Sequence, residues 1–192
     1  KRIVLTCNEL ESLVRQGVVR NPRTGQVVVD LVSIGLHLDN QFLAYEPRTE
    51  ESPVTPPQEL PTRLTIVSSG DTYILPPGGK ILACSEEVVA IPNDLMAFIQ
   101  TKGSLARGFL TVHMCDAQIE PGYQGKITLE IVNFSDFSYE LAPGMPIAQL
   151  FFVALLARMP TGYCGRYQGA MGPTAMRSPS VAKDCSGGRT AL

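Results

Sequence analysis

The sequence predicts a mainly β fold, a distorted β-barrel or jelly roll, on three observations. Fifteen prolines and seventeen glycines punctuate 192 residues, which leaves little room for long helices. From Leu64 onward, strand-like runs of about five to eight residues alternate with turn signals. These signals are Ser69-Gly70-Asp71, Pro76-Pro77-Gly78-Gly79, Pro92-Asn93-Asp94, Pro121-Gly122 and Pro143-Gly144. Finally, Leu75-Pro76-Pro77-Gly78-Gly79-Lys80-Ile81 echoes Leu141-Ala142-Pro143-Gly144-Met145-Pro146-Ile147. Two copies are too few for a solenoid, and they fit two related corners of one domain.

The first element is the exception, a short helix over about residues 5–17. Thr6-Cys7-Asn8-Glu9 reads as a capping box, Leu10, Leu13 and Val14 share one face, and Gly17 supplies the stop. Val27-Val28-Val29 and the run from Leu31 to Leu38 are β-rich. Glu46 to Thr62 holds five prolines and reads as an exposed loop. After about Met159 the chain turns rich in Gly, Ser, Pro and Arg and cannot build a core of its own. The expected organisation is therefore a β domain over 1–158 and a C-terminal tail or lid over 159–192.

Composition excludes several classes. Hydrophobic residues make up 44% and charged ones 18%, a globular balance. A net charge of −2 offers no field for polymeric nucleic acid. Two histidines and five cysteines without a C-x-x-C pair fit no common zinc spacing, and a disulfide framework is not expected. The odd thiol count points to a reducing, cytoplasmic setting. There is no signal-peptide run, and no apolar stretch reaches the roughly 18 residues of a membrane span.

The densest polar constellation lies between Gln100 and Glu130. Lys102-Gly103-Ser104 and Arg107 place cations and a hydroxyl around small residues, where backbone amides approach an anion; a solvated turn fits equally well. Glu120 and Tyr123 occupy a turn, and Ile127 to Val132 reads as a strand. There Glu130 points with Thr128 and Val132, away from Leu129 and Ile131. Glu130 is then either exposed or a buried carboxylate that needs a partner, with Arg107 the natural candidate. His113, in a strand-like run, reads as a core histidine.

These residues, in order and spacing, resemble the core of the dCTP deaminase family of the dUTPase-like superfamily. The match runs through Gly103-Ser104-Leu105-Ala106-Arg107, Val112-His113, Ile119-Glu120-Pro121-Gly122-Tyr123, Gly125 and Leu129-Glu130. Ser33-Ile34-Gly35-Leu36-His37-Leu38 is similar to the family's early Ser-Ile-Asp-x-Arg-Leu segment, and Pro143-Gly144-Met145 to Gln149-Leu150 to a later strand. Arg166-Tyr167-Gln168-Gly169, Gly172-Pro173-Thr174 and Arg177 resemble its C-terminal lid.

The resemblance implies a dUTPase-like barrel or jelly roll assembled as a homotrimer with active sites between subunits. It implies a pyrimidine deoxynucleoside triphosphate as substrate, with Mg²⁺ held through the phosphates and no zinc. Glu130 would be the water-activating base for hydrolytic deamination of dCTP to dUTP, partnered by Arg107. Lys102, Ser104 and Arg166 would contact phosphates, and Tyr123 would cover the nucleoside. Gly103, Gln118, Thr128, Tyr167 and Gln168 would complete the substrate contacts. Glu120 stands where relatives that release diphosphate orient water. The family has serine where this chain has Gly103, aspartate at Gly35 and glutamine at Ala170. Those departures leave three alternatives beside plain dCTP deamination: a modified dCTP, diphosphohydrolase action on dUTP or dCTP, and a catalytically silent nucleotide-binding trimer.

Overall fold

The computed structural model describes residues 3–47, 54–55 and 59–178. The opening helix α1 (Cys7–Arg15) starts at Thr6, whose backbone N–H donates to Glu9 Oε2 at 3.0 Å while its hydroxyl meets the same carboxylate. At the other end Val18 N–H donates to Leu13 C=O at 3.0 Å and Gly17 N–H to Val14 C=O at 2.9 Å. This is a Schellman closure, and it needs the left-handed φ of +76° that Gly17 adopts without a Cβ penalty. Leu10 and Leu13 are the buried face.

Twelve strands are found among the described residues: β1 (Val19–Arg20), β2 (Ile34–His37), β3 (Gln41–Tyr45), β4 (Thr62–Ile66), β5 (Tyr73–Leu75), β6 (Lys80–Ala90), β7 (Leu95–Thr101), β8 (Leu110–Thr111), β9 (Gln118–Ile119), β10 (Gln124–Asn133), β11 (Tyr139–Leu141) and β12 (Pro146–Ala154). One helical turn, α2 (Gly103–Ala106), follows β7. One sheet runs β4-β3-β6-β10-β8 with β1 paired to β6, and a second runs β2-β12-β7-β9. Their inner residues meet in one core, Phe42, Ala83, Leu129 and Ile131 from the first and Leu36, Ile99, Leu150 and Phe152 from the second. Each fully buried large side chain of this kind contributes about 1.5–3 kcal/mol. The sheets do not close, so the shape is a distorted jelly roll.

The two echoed segments become partners. β5 and β11 pair antiparallel, Leu75 opposite Tyr139 and Leu141 opposite Tyr73. Each ends in a buried leucine and a turn whose glycine has positive φ, Gly78 at +70° and Gly144 at +83°. The repeat is thus a pair of corners that close on each other.

Some strands differ from expectation. Val27 to Val29 contributes only an isolated bridge, Val29 to Ile34. Leu31 and Val32 are exposed because Asp30 N–H turns back to Ser33 C=O at 2.8 Å. The proline-rich connection lies partly outside the described residues; at its ends Glu46 N–H donates to Pro61 C=O at 3.0 Å. Cys7, Cys84 and Cys115 are free thiols, whereas Cys164 is disulfide-bonded, a bridge the scattered cysteines did not announce. No helix among the described residues is long and apolar enough to cross a membrane.

A break in register shapes the middle of the first sheet. Lys126 pairs with Val88, but Thr128 pairs with Cys84, so Ile127 alone faces Ser85-Glu86-Glu87. The bulge is stitched by Ser85, whose hydroxyl accepts from Ile127 N–H at 3.0 Å and donates to Glu87 C=O at 2.7 Å. It turns two consecutive acids inward, Glu86 at 3% and Glu87 at 0% exposure. Asn21 Nδ2 reaches both, Glu86 at 3.2 Å and Glu87 at 3.0 Å. His37 Nδ1 lies 2.8 Å from Glu87, and Arg23 pairs with Glu86.

Candidate active site

The pocket that holds Glu130 lies where the two sheets meet and measures about 500 Å³. The first sheet supplies Tyr45, Leu82, Ile127, Thr128 and Glu130, and the second Ile99, Gln118 and Ile119. Asp116, Glu120 and Tyr123 come from the loops around β9, and Tyr163, Tyr167, Thr174 and Met176 from the C-terminal segment. That volume, with aromatic walls and a few convergent polar groups, suits a small organic ligand.

Glu130 sits on β10 directly opposite Leu82 of β6, which in turn faces Leu43 of β3. It is half-buried, between the two alternatives its sequence left open. Its Oε2 accepts the Met114 N–H at 2.8 Å, a contact made by the short loop after β8. Cys115, next in that loop, takes a left-handed φ of +67°. Such a bend costs a non-glycine residue about 1–3 kcal/mol and is held only by its surroundings.

Tyr123 forms another wall. Its hydroxyl donates to Lys126 C=O at 2.5 Å, and its ring meets Tyr163 edge-on at 5.8 Å. Burial, then the neighbouring Tyr163, pushes its pKa up to about 12, so it stays a neutral phenol. Behind the wall, Lys126 pairs with Asp39, which also accepts the Cys84 thiol at 3.4 Å. Burial and the Asp39 charge raise the Cys84 pKa, so this cysteine is no thiolate nucleophile.

The segment after β12 lies across the pocket. Tyr163 N–H donates to Pro121 C=O, and Gln168 spans from the Gly122 carbonyl at 2.9 Å to the Gln124 amide at 2.9 Å. Ala170 pairs in parallel with Gly125, and Lys126 N–H donates to Ala170 C=O at 2.7 Å. A side chain at Gly125 would strike that strap, since a Cβ there comes 2.5 Å from the Ala170 oxygen. Thr174 N–H then donates to Thr128 Oγ1 at 3.2 Å. Residues 179–192, the rest of the expected tail, lie outside the described residues.

The model of the dCTP deaminase-like family matches residues 4–155. The chain belongs to the dCTP deaminase-like family. A relative from Streptomyces avermitilis, named dCTP deaminase, dUMP-forming, is 35% identical over 92% of this chain and 95% of its own. Another of that name, from Pseudarthrobacter chlorophenolicus, is 38% identical over 76% of this chain and 80% of its own. Among solved structures, a 2′-deoxycytidine 5′-triphosphate deaminase from Agrobacterium tumefaciens superposes with a TM-score of 0.62 at 19% identity. It matches 79% of this chain, which spans about half of that longer chain (48%), and the likeness bears on the fold.

On this dCTP deaminase-like chain the structure gathers Glu130, Glu120, Gln118, Tyr123, Thr128 and Tyr167 around one pocket, with Gln168 clasping its rim. It leaves Lys102, Gly103, Ser104 and Arg107 outside. They lie on and beside α2, where the exposed Arg107 guanidinium donates to Gly103 C=O at 3.3 Å and makes no ion pair with Glu130. The pairing expected between Arg107 and Glu130 is therefore absent within one chain. A Cβ at Gly103 would come 3.3 Å from Arg107 Nη1, so the glycine lets the guanidinium fold down there. Arg166 donates to Arg177 C=O, and Arg177 returns the bond to Arg166 C=O at 2.8 Å. His113 is half-buried just beyond β8, its Nδ1 enclosed without a hydrogen-bond partner. Sequence reasoning missed Tyr45, Asp116, Tyr163 and Met176. Only tertiary contact places them, although the tyrosines in an otherwise Gly- and Arg-rich tail were a signal.

Proposed function

We propose that the chain hydrolyses dCTP to dUMP, ammonia and diphosphate, with both hydrolytic steps served by this pocket. The observation that carries the reading is the convergence of carboxylates, Glu130 and Glu120 with Asp116 beside them, on one pocket under an aromatic lid. The dUMP-forming name shared by the two relatives favours it over deamination that stops at dUTP. It also unites the two reactions that the sequence left as alternatives.

In the first step Glu130 accepts a proton from water as the water oxygen bonds to C4 of the cytosine ring, the C4=N3 pair moves to N3, and N3 takes up that proton. The C4 hydroxyl proton then passes to the exocyclic amine, and the C4–N bond breaks to release ammonia as the C4 carbonyl forms. The Met114 amide steadies the carboxylate for this role. In the second step Glu120 orients water towards the α-phosphorus, and the bond to the diphosphate breaks. Tyr123, Tyr163 and Tyr167 offer ring faces and edges to the nucleoside.

A triphosphate needs cations, and no lysine or arginine among the described residues lines the pocket. In this reading Lys102, Ser104 and Arg107 come from a neighbouring copy in a homotrimer, and Arg166 turns from Arg177 to the phosphates. No group of three or more metal-ligating side chains occurs among the described residues. In this reading magnesium is held through the substrate's own phosphates, where it would neutralise their charge. Assaying ammonia and diphosphate separately tests the proposal. Equal amounts of both are expected from dCTP; either product without the other overturns it.

A further inference from the structure

The geometry points to Tyr45 as the residue that fastens the far end of the lid over the substrate, a positioning role distinct from those of Glu130 and Glu120. It rests on reading the pocket as the nucleotide site. Tyr45 ends β3, two residues past Leu43, on the pleat face that Leu43 shares with Leu82 and Glu130. Its ring lines the pocket and its hydroxyl accepts Met176 N–H at 2.8 Å.

The lid reaches Tyr45 by regular steps. Ala170 is bonded to Lys126 on β10, and Gly172 passes so close to Gln41 of β3 that a Cβ would come 2.8 Å from its Oε1. Thr174 is bonded to Thr128 on β10 and Met176 to Tyr45 on β3. Anchors two residues apart alternate between the two strands that flank β6, as an extended strap requires. Tyr45 is the last of them. A phenol suits this post because one side chain supplies both an apolar wall and an acceptor for an otherwise open backbone amide.

Tyr45→Phe keeps the wall and deletes the acceptor. In nucleotide-free protein, tryptic cleavage after Arg166 and Arg177 should quicken by roughly two- to tenfold, the effect of one net hydrogen bond on the open population. Cleavage elsewhere and the thermal midpoint should stay unchanged. With dCTP, KM should rise by a similar factor, roughly two- to tenfold, and kcat should hold within about twofold. Equal lid cleavage in the variant and the parent would overturn the assignment, as would a fall in kcat at constant KM. The cleavage measurement involves no substrate, so it decides the role of Tyr45 even if dCTP is not turned over.

Discussion

Glu130 owes its position to two backbone bonds. Its own N–H donates to Val112 C=O at 2.9 Å, and its carboxylate takes the Met114 amide. Glu130→Gln preserves the second bond through the amide oxygen but cannot take up the water proton. Ammonia release should therefore fall by roughly 10²–10⁴-fold with the thermal midpoint nearly unchanged, as followed by a coupled ammonia assay. Tyr123 makes a prediction of pH dependence. Its phenol ionises near pH 10 in the unfolded chain and at about 12 in the fold. The folded state thus holds the proton more tightly, and its contribution, complete below about pH 10, is lost as pH rises towards about 12. Tyr123→Phe should flatten this alkaline fall of the melting temperature. An unchanged slope would show that the phenol is not the group responsible. The strand face of Glu130 was legible in the alternation of Thr128, Glu130 and Val132, but its amide partner was not. That partner comes from a bend at Cys115, a residue with no special claim to positive φ.

Among the elements, the capped helix and the strands were the most legible, because caps and turns depend on residues adjacent in sequence. The segment 27–33 misled because valine-rich composition was not matched by a partner strand. The bulge in β6 was invisible because it depends on a register shift, and it buries two adjacent acids that simple alternation would separate. Asn21 holds that arrangement together: besides both carboxylates, its Oδ1 accepts the Arg23 and Thr24 amides, each at 3.0 Å. Asn21→Ala should destabilise the fold by about 2–4 kcal/mol, since it strips donors from buried charges. Urea unfolding measures this directly, and a loss below about 1 kcal/mol would mean that His37 and Arg23 suffice.

For the whole molecule, family membership was legible because its motifs keep their order along the chain. What sequence could not give was which residues share one pocket within one chain. The structure collects the carboxylates and leaves Lys102, Ser104 and Arg107 outside that pocket, on and beside α2. If a neighbouring copy supplies these groups, Arg107→Ala and Glu130→Gln damage different halves of a shared site. Co-refolding the two inactive variants should then restore activity in mixed trimers, whereas sites confined to one chain would restore none.

In the proposed reaction Glu130 and Glu120, which line the pocket together with Asp116, divide the two steps. The products that Glu120→Gln makes from dCTP, separated by anion exchange, decide whether they do. Ammonia release with dUTP accumulating and diphosphate absent is the expected result. Production of dUMP and diphosphate at the parent rate would contradict it.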